Sequence, residues 1–254
     1  MTTNTFIESN RGRRLSFIPF LVPEYNAHYE GAYDERTLLW RRLGASDKAS
    51  NIAVSLEGRN VQRVLEVGCG TGAVIAQVAQ LSIGKEHVGV DLANPGVHRD
   101  SAAANIELRQ FDGNHLPFED AEFDLVFASH VVEHVPEPRS FLAEISRVTK
   151  KWIYLEVPCE LHIRTNVVAL QRSLNIGHIN AYTPESFRLL VESTGLKVVR
   201  QDVFDHSLAV HSFGTSAALG YIKFMLRRGL LMTSPLLASR VFTYHSGILA
   251  EKRA

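Results

Sequence analysis

The chain has 254 residues, of which 45% are hydrophobic and 21% charged, and its 27 Lys and Arg residues balance its 27 Asp and Glu residues. The length suits one large domain, or one domain with an insertion, and the composition is typical of soluble globular proteins. The charge balance gives no global field that would favour nucleic acid as a partner. The two cysteines, Cys69 and Cys159, do not have the pattern of a disulfide framework, so we expect a protein of the reducing cytoplasm.

The beginning of the chain is polar and then basic over residues 1–14, without the apolar region of a signal peptide. No run of about 18 uninterrupted apolar residues follows, so we expect no membrane span. Residues 1–33 are rich in aromatic residues and interrupted by prolines. This segment is either an arm that folds over the site or a loose tail. Residues 34–57 look helical, with Asp34 as a cap and Gly44 dividing the pattern into two helices.

A strand, a glycine turn and a helix start are predicted one after the other over residues 61–79. The apolar run ends at Val67, and Gly68, Gly70 and Gly72 follow at alternate positions. Glycine tolerates a positive φ and lets a ligand approach the backbone closely, while the helix start turns free N–H groups toward the loop. Such a loop alone does not identify its ligand, because enzymes that bind dinucleotides have a similar glycine loop at the same junction.

Strands alternate with helices along the rest of the chain, which predicts a parallel sheet with right-handed crossovers. The strands are expected at 87–91, 105–111, 123–128 and 152–157, and the clearest helix at 139–149. In such open sheets, ligands bind beyond the carboxyl ends of the strands. Asp91 ends a strand and can accept both hydroxyls of a ribose, and Asp112 with Gly113 follows the next strand.

Four sequence patterns stand in a fixed order. Glu66-x-Gly68-x-Gly70-x-Gly72 resembles the first motif of the class I S-adenosylmethionine-dependent methyltransferases. Residues 116–126 (LPFEDAEFDLV), 129–138 (SHVVEHVPEP) and 177–185 (GHINAYTPE) resemble the signatures of their small-molecule (type 11) branch. The resemblance implies an α/β, Rossmann-like, seven-stranded and mostly parallel doubly wound sheet. It further implies an antiparallel last strand, N-terminal helices and a helical insertion.

The resemblance also implies S-adenosyl-L-methionine as the cofactor and a small-molecule acceptor that is methylated at oxygen or nitrogen. In this family the glycine loop wraps the methionine end of the cofactor, and an acid at the Glu66 position orders its ammonium group. The acid after the third strand reaches the adenine amino group. The implied cofactor-binding residues are Glu66, Gly68, Cys69, Gly70, Gly72, Asp91, Leu92, Asp112, Gly113 and Ser129.

Methyl transfer needs a positioned acceptor and, for a hydroxyl acceptor, a group that removes the proton. We expect His134, His130 and Glu133 to be catalytic, on one face of a short helix after the fourth strand. A structural and substrate-lining role for His134 and its neighbours is the alternative. The residues expected to line the substrate are Glu160, His162, His178 and Tyr182.

The spacing His-x-x-Glu-His also suits zinc, and a related quinone-biosynthesis group is thought to hold a divalent metal through acid-x-x-Glu-His. His130 stands at the place of that acid, and we predict no metal. A catalytic methyltransferase is the favoured function. The alternatives are a non-catalytic protein of the same fold and a nicotinamide-dependent oxidoreductase, which Glu66 and the Glu133-His134 pair disfavour.

The chain divides into an N-terminal arm and helices at 1–58, a cofactor-binding core at 59–206, a helical insertion at 207–240 and a closing strand at 241–254. A last core helix is expected at 184–194, followed by a strand at 196–203 that pairs with a closing strand at 241–249. Within the insertion, 216–232 looks helical and largely apolar. It suits a lid over an apolar acceptor, a dimer contact, an interfacial membrane helix or a helix packed on the sheet.

Overall fold

The computed structural model describes residues 35–93 and 105–253. The arm at 1–33 and the cap at Asp34 lie outside the described residues. The seven strands form one sheet in the order β3-β2-β1-β4-β5-β7-β6, in which β7 runs antiparallel to β5 and β6. Their bounds are β1 Arg63–Val67, β2 Glu86–Asp91, β3 Glu107–Gln110, β4 Phe123–Ser129, β5 Thr149–Pro158, β6 Lys197–Phe204 and β7 His245–Glu251. The sheet confirms the predicted fold class.

Helices cover both faces of the sheet. Their bounds are α1 Glu35–Leu56, α2 Ala73–Gln80, α3 Pro138–Val148, α4 Val167–Asn175, α5 Pro184–Glu192, α6 Leu208–Ser212, α7 Ala217–Thr233 and α8 Pro235–Val241. One apolar core lies between the sheet and α3 with α5, and the other between the sheet and α1 with α2. The strands β1, β4 and β5 are therefore buried on both faces, as a doubly wound sheet requires.

Helix α1 corrects one prediction, because Gly44 does not divide it. The helix is continuous over 22 residues. A mid-helix glycine costs only about 1 kcal/mol relative to alanine. The buried residues Ala45, Ala49 and Ile52 anchor the following turns on the sheet and on α2, which holds the helix together.

The closing strand corrects a second prediction, because it begins at His245 and not at 241. Residues 235–241 form α8, which Ser234 caps by accepting the backbone N–H of Leu237, with Pro235 in its first turn. Pro at this position has no N–H to lose from the helix. Three helices, α6 to α8, thus occupy the connection between β6 and β7. In the described part of the chain, no helix is both long and apolar enough to cross a membrane.

Candidate active site at the carboxyl edge of the sheet

The glycine loop follows β1 and has the backbone conformation that the sequence predicts. Gly68, Gly70 and Gly72 have φ values of 80°, 52° and 79°, in the left-handed region that glycine tolerates. The N–H groups of Gly68 and Cys69 both donate to the carbonyl of Val90, which ties the loop to β2. A Cβ atom on Gly68 would lie 2.4 Å from Cγ2 of Val131. Position 68 therefore requires glycine both for its backbone conformation and for the close packing of the loop against Val131.

Two carboxylates fix this loop. Glu66 is buried and accepts the N–H of Ile75 in the first turn of α2 at 2.9 Å. Burial raises the pKa of Glu66 to about 8. Asp91 accepts the N–H of Gly70 at 2.7 Å and that of Ala93 at 3.0 Å, and burial raises its pKa above the ordinary value. Asp91 thus joins the glycine loop to the end of β2.

Helix α1 contributes cations that the sequence analysis missed. A Cβ atom on Gly70 would lie 3.5 Å from Nη1 of Arg41, whose charge acts on Asp91. Two turns later, Lys48 is partly buried. Burial lowers its pKa, and this effect outweighs the negative charges of carboxylates at the site, which raise it. These carboxylates are Glu156, Glu133 and Glu66. The seven-residue spacing of the two cations, which places them on one helical face, is the signal that could have identified them.

The other residues expected to bind the cofactor follow the carboxyl ends of the strands, and each has its own hydrogen bonds or contacts. Asp112 accepts the N–H groups of Asn114 and His115 at 2.8 Å each, and these bonds lower its pKa. A Cβ atom on Gly113 would lie 2.5 Å from Cδ2 of Leu92, so these residues adjoin. The Ser129 hydroxyl donates to Oε1 of Glu156 at 3.4 Å. The thiol of Cys69 is buried and free, and burial raises its pKa well above the usual value.

The predicted catalytic helix is corrected by the structure. Only Val132–His134 is helical, as a single 3₁₀ turn, and His130 precedes it with a φ of 60°. A left-handed residue reverses the direction of the chain, so His130 does not share a helical face with Glu133 and His134. His130 instead joins one cluster, His134 adjoins a second, and Glu133 lies between them.

The first cluster is a triad of His130, Glu156 and His245, at the ends of β4, β5 and β7. Nε2 of His130 lies 3.4 Å from Oε1 of Glu156 and 3.3 Å from Nδ1 of His245, which is 3.7 Å from the same oxygen. Oε2 of Glu156 accepts hydrogen bonds from Asn51 at 2.9 Å and Tyr154 at 2.6 Å. Burial lowers the pKa of both histidines, which favours neutral imidazoles.

The second cluster is a dyad of Glu160 and His178 beside His134. Nδ1 of His178 lies 3.0 Å from Oε2 of Glu160, whose other oxygen accepts the hydroxyl of Ser173 at 2.8 Å. Burial lowers the pKa of His178, but the Glu160 bond and the charges of Glu133 and Glu160 outweigh it, so the net shift is upward. The His134 ring packs edge-on against His178 at 4.8 Å, and its Nδ1 lies 3.0 Å from the carbonyl oxygen of Gly177.

Glu133 lies between the two clusters. Its side chain is fully buried, and neither carboxylate oxygen has a hydrogen-bond partner among the described residues. Nδ1 of His130 is 3.6 Å from Oε1, and the charges of His178 and Lys48 act on the same carboxylate. Burial raises its pKa to about 7 despite these cations. A buried, unpartnered carboxylate is costly and marks a position where a ligand is expected.

The remaining expected substrate residues separate. Tyr182 is buried against Phe187, and burial together with the charge of Glu133 raises its pKa to about 12. His162 instead lies 3.1 Å from the hydroxyl of Thr243, beside α8, and the structure does not bring it into either cluster. Sequence analysis also missed His245 and Glu156, because their chain positions are remote from His130 and only the sheet order brings them together.

A cavity of about 420 Å³ opens beside the triad. Its walls come from α1, α6 and α7, and include Trp40, Val210, Leu219 and Lys223. His206 lines this cavity and packs edge-on against His245, with ring centroids 4.3 Å apart. The cavity volume is within the range of small-molecule sites, and the His206 ring lies between the cavity and His245 of the triad.

The sheet order, glycine loop and strand-end carboxylates define the fold of a class I S-adenosylmethionine-dependent methyltransferase. Residues 65–154 match the family described as methyltransferase domain. The chain is 39% identical over 93 residues to the phosphatidylethanolamine N-methyltransferase of Cereibacter sphaeroides, which covers 35% of this chain and 46% of that protein. It is 36% identical over 94 residues to the ubiquinone biosynthesis O-methyltransferase of Maricaulis maris, covering 35% and 36%.

Among solved structures, the fold is similar to geranyl diphosphate C-methyltransferase of Streptomyces coelicolor A3(2), in complex with Mg²⁺, a substrate analogue and S-adenosyl-L-homocysteine. The TM-score is 0.61 and the identity 15%, over 82% of this chain and 76% of the other. This likeness concerns the fold. The chain spans less than half the length of the two curated relatives named above.

Proposed function

We propose that the chain binds S-adenosyl-L-methionine at the glycine loop and transfers its methyl group to an oxygen of an apolar small molecule. The observation that carries the proposal is the glycine loop itself. Gly68, Gly70 and Gly72 all have a positive φ, and Asp91 holds the loop at the end of β2 by accepting the N–H of Gly70. When bound, the cofactor supplies an activated methyl group on sulfur.

The Glu160–His178 dyad favours oxygen as the acceptor atom. A hydroxyl must lose its proton as the oxygen attacks the methyl carbon, while the carbon–sulfur bond breaks and its electrons remain on sulfur. With Nδ1–H of His178 donated to Glu160, Nε2 is the basic nitrogen, and the raised pKa strengthens it as a proton acceptor. We assign the general base to His178, and His134 with Glu133 to the walls around it.

The side chains of helix α7 support an apolar acceptor. The helix buries a charged side chain and exposes apolar ones, the reverse of an ordinary surface helix. Its inner side holds the buried Arg227, which binds Asp205 with two nitrogens and donates to the carbonyl of Thr243. Its outer side exposes Leu219, Ile222 and Leu226 by 61%, 61% and 63%. An exposed contiguous apolar face at helical spacing is typical of an interaction surface. Because Leu219 also lines the cavity, this face adjoins the entrance to the site.

The charge of this region fits the surface of an anionic membrane. Residues 206–250 contain no Asp or Glu, and Lys223 and Arg228 lie exposed on α7. Arg227 and Arg240 are engaged by Asp205 and Glu185. A basic and apolar helix lies in the interface of a bilayer with its apolar side chains inserted. We therefore propose that α7 docks on a bilayer and that the acceptor is an amphiphilic lipid entering beside Leu219.

The test combines binding and turnover with the double variant Ile222→Ser/Leu226→Ser. We expect wild-type protein to sediment with anionic vesicles at low salt and to transfer labelled methyl groups into the lipid fraction of an extract. The double variant should lose both while its affinity for the cofactor is unchanged. Leu189→Ser removes an equally exposed leucine from α5 and should change neither. Vesicle binding equal in wild-type protein and the double variant would contradict docking through α7.

Asp91 provides a test of the cofactor. We expect Asp91→Ala to weaken S-adenosylmethionine binding by about 1–3 kcal/mol, because a charge-assisted hydrogen bond is lost and the N–H of Gly70 loses its acceptor. Calorimetric titration measures the change. Asp124→Ala is the matched control, since Asp124 also accepts two backbone N–H groups, from Gln62 and Arg63, at the opposite edge of the sheet. Equal affinity of the Asp91 variant and wild type would show that Asp91 does not bind the ribose.

We further propose the reducing cytoplasm as the compartment, and a small molecule, not a nucleic acid, as the acceptor. Both cysteines are free and buried, and the chain carries no net charge. Free thiols persist in reducing compartments, and nucleic-acid binding depends on a basic excess.

A further inference from the structure

The three ligand atoms of the triad form a nearly equilateral triangle. Nε2 of His130, Nδ1 of His245 and Oε1 of Glu156 are separated by 3.3, 3.4 and 3.7 Å. Around a tetrahedral zinc ion with bonds of about 2.1 Å, neighbouring ligand atoms lie about 3.4 Å apart. The side chains therefore already have the spacing of three corners of a zinc coordination tetrahedron.

Hydrogen bonding alone accounts poorly for this spacing. A histidine that donates to a buried carboxylate is expected at about 2.7–2.9 Å, and both His–Glu distances here are much longer. The two imidazole nitrogens also face each other, although each neutral ring has only one N–H to donate. A cation between the three atoms satisfies all of them at once.

The surroundings hold the triad in place. Oε2 of Glu156 is engaged by Asn51 and Tyr154, while Oε1 faces the two imidazoles and accepts a long hydrogen bond of 3.4 Å from the Ser129 hydroxyl. The other ring nitrogen of His130, Nδ1, lies 3.6 Å from the Glu133 carboxylate, as in the carboxylate–histidine pairs behind many metal ligands. The three ligands also follow or belong to β4, β5 and β7, which are rigid neighbouring strands.

The local charge also favours a dication. Two cations of α1, Arg41 and Lys48, act on a larger set of buried or partly buried carboxylates. That set consists of Glu66, Asp91, Glu133 and Glu156. A divalent ion at the triad would offset the negative charge of Glu156 and would favour the ionised form of Glu133, which also approaches His130.

The second cluster is less suited to a metal, although Glu133, His134 and His178 also lie close together. Nδ1 of His178 is taken by Glu160, and Nδ1 of His134 by the carbonyl of Gly177. We propose that His130, Glu156 and His245 bind one divalent transition-metal ion of the zinc class. Its fourth coordination position is open to an oxygen of the acceptor. Glu156 and His245 lie outside the His-x-x-Glu-His segment, so this ligand set is distinct from the one that the sequence spacing suggests.

The experiment uses cobalt as a spectroscopic substitute for zinc. The full chain, treated with chelator and dialysed, is titrated with Co²⁺, and bound metal is measured by elemental analysis and visible absorption. We expect one equivalent per chain with the intense visible bands of tetrahedral cobalt. Glu156→Gln and His245→Ala should each reduce bound metal at least about tenfold, and Asn51→Ala should weaken affinity by about 10–100-fold.

Matched variants decide between the two clusters. His134→Ala and His178→Ala should retain the full equivalent of cobalt, and so should His87→Ala, away from the site. S-adenosylmethionine binding, followed by calorimetry, shows that each variant is folded and tests the proposed function separately from the metal. The proposal is overturned if folded wild-type protein binds neither Co²⁺ nor Zn²⁺. It is also overturned if the His134 and His178 variants lose the metal while the triad variants keep it.

Discussion

Replacing Gly68 with valine is expected to abolish binding of S-adenosylmethionine and of its demethylated product. Gly68 has a φ of 80°, and a β-branched residue held in this region costs about 1–3 kcal/mol. The new Cβ would lie 2.4 Å from Cγ2 of Val131, so the glycine loop or the segment after β4 must move. Because Asp91 holds Gly70 through its N–H, a displaced loop also loses its register with β2. Isothermal titration calorimetry with both ligands measures the loss.

Two further variants test whether the loss is steric. Gly44→Ala introduces a methyl group where nothing lies within 4 Å and should bind both ligands normally. Gly68→Ala should bind weakly, and adding Val131→Ala removes the two methyl groups nearest to the new Cβ and should restore part of the affinity. If Gly68→Val binds as wild type does, the loop is not the cofactor cradle. Wild-type protein that prefers NAD to both ligands would revive the oxidoreductase alternative.

The fold and the cofactor loop could be predicted from sequence because their signals are local. The three glycines stand at alternate positions of one short segment, and a positive φ at each of them specifies the turn. The alternation of strands and helices likewise specifies a doubly wound sheet. Thr183 and Ser186 form a capping box with Pro184 in the first turn, so the sequence also predicts where α5 begins.

The rest of the site could not be predicted, because tertiary contacts assemble it. The triad joins His130, directly after β4, with residues of β5 and β7 that lie far from it in sequence. The spacing predicts a helical position for His130, but its left-handed backbone lets the ring reach both Glu133 and Glu156. The cations Arg41 and Lys48 come from a helix that precedes the glycine loop, and their role depends on how α1 packs over the sheet. The periodicity of the sequence predicts which residues share a face of a helix, but not which other element that face packs against.

Replacing His178 with alanine is expected to lower the rate of methyl transfer by about 10²–10⁴, the usual contribution of a general base, with cofactor affinity unchanged. Glu160→Gln should lower the rate by less, because the imidazole remains but loses the carboxylate that orients its Nδ1–H and raises its pKa. His134→Ala tests the residue that sequence alone favours. A full loss with His134→Ala and normal turnover with His178→Ala would reverse the assignment.

The dependence of turnover on pH shows whether His178 acts as a general base or has only a structural role. The pKa of His178 is raised in the folded protein, so the ring is protonated below that pKa and cannot accept a proton. Turnover at saturating substrates should therefore fall as pH decreases, with a midpoint above about 6.5, the ordinary histidine value. The charged or titratable groups facing the ring are Glu160, Glu133, His134 and Lys48.

The midpoint should move when a neighbouring charge is removed. Glu133→Gln removes a carboxylate that raises the pKa of His178 and should shift the midpoint to lower pH. Lys48→Met removes an opposing cation and should shift it to higher pH. Opposite shifts from these two variants are expected if the His178 imidazole titrates in the rate-limiting step. Loss of these shifts from the residual activity of His178→Ala distinguishes it from His130, which faces the same two groups. A midpoint that both variants leave in place would show that His178 positions the acceptor, and that catalysis rests on proximity and orientation.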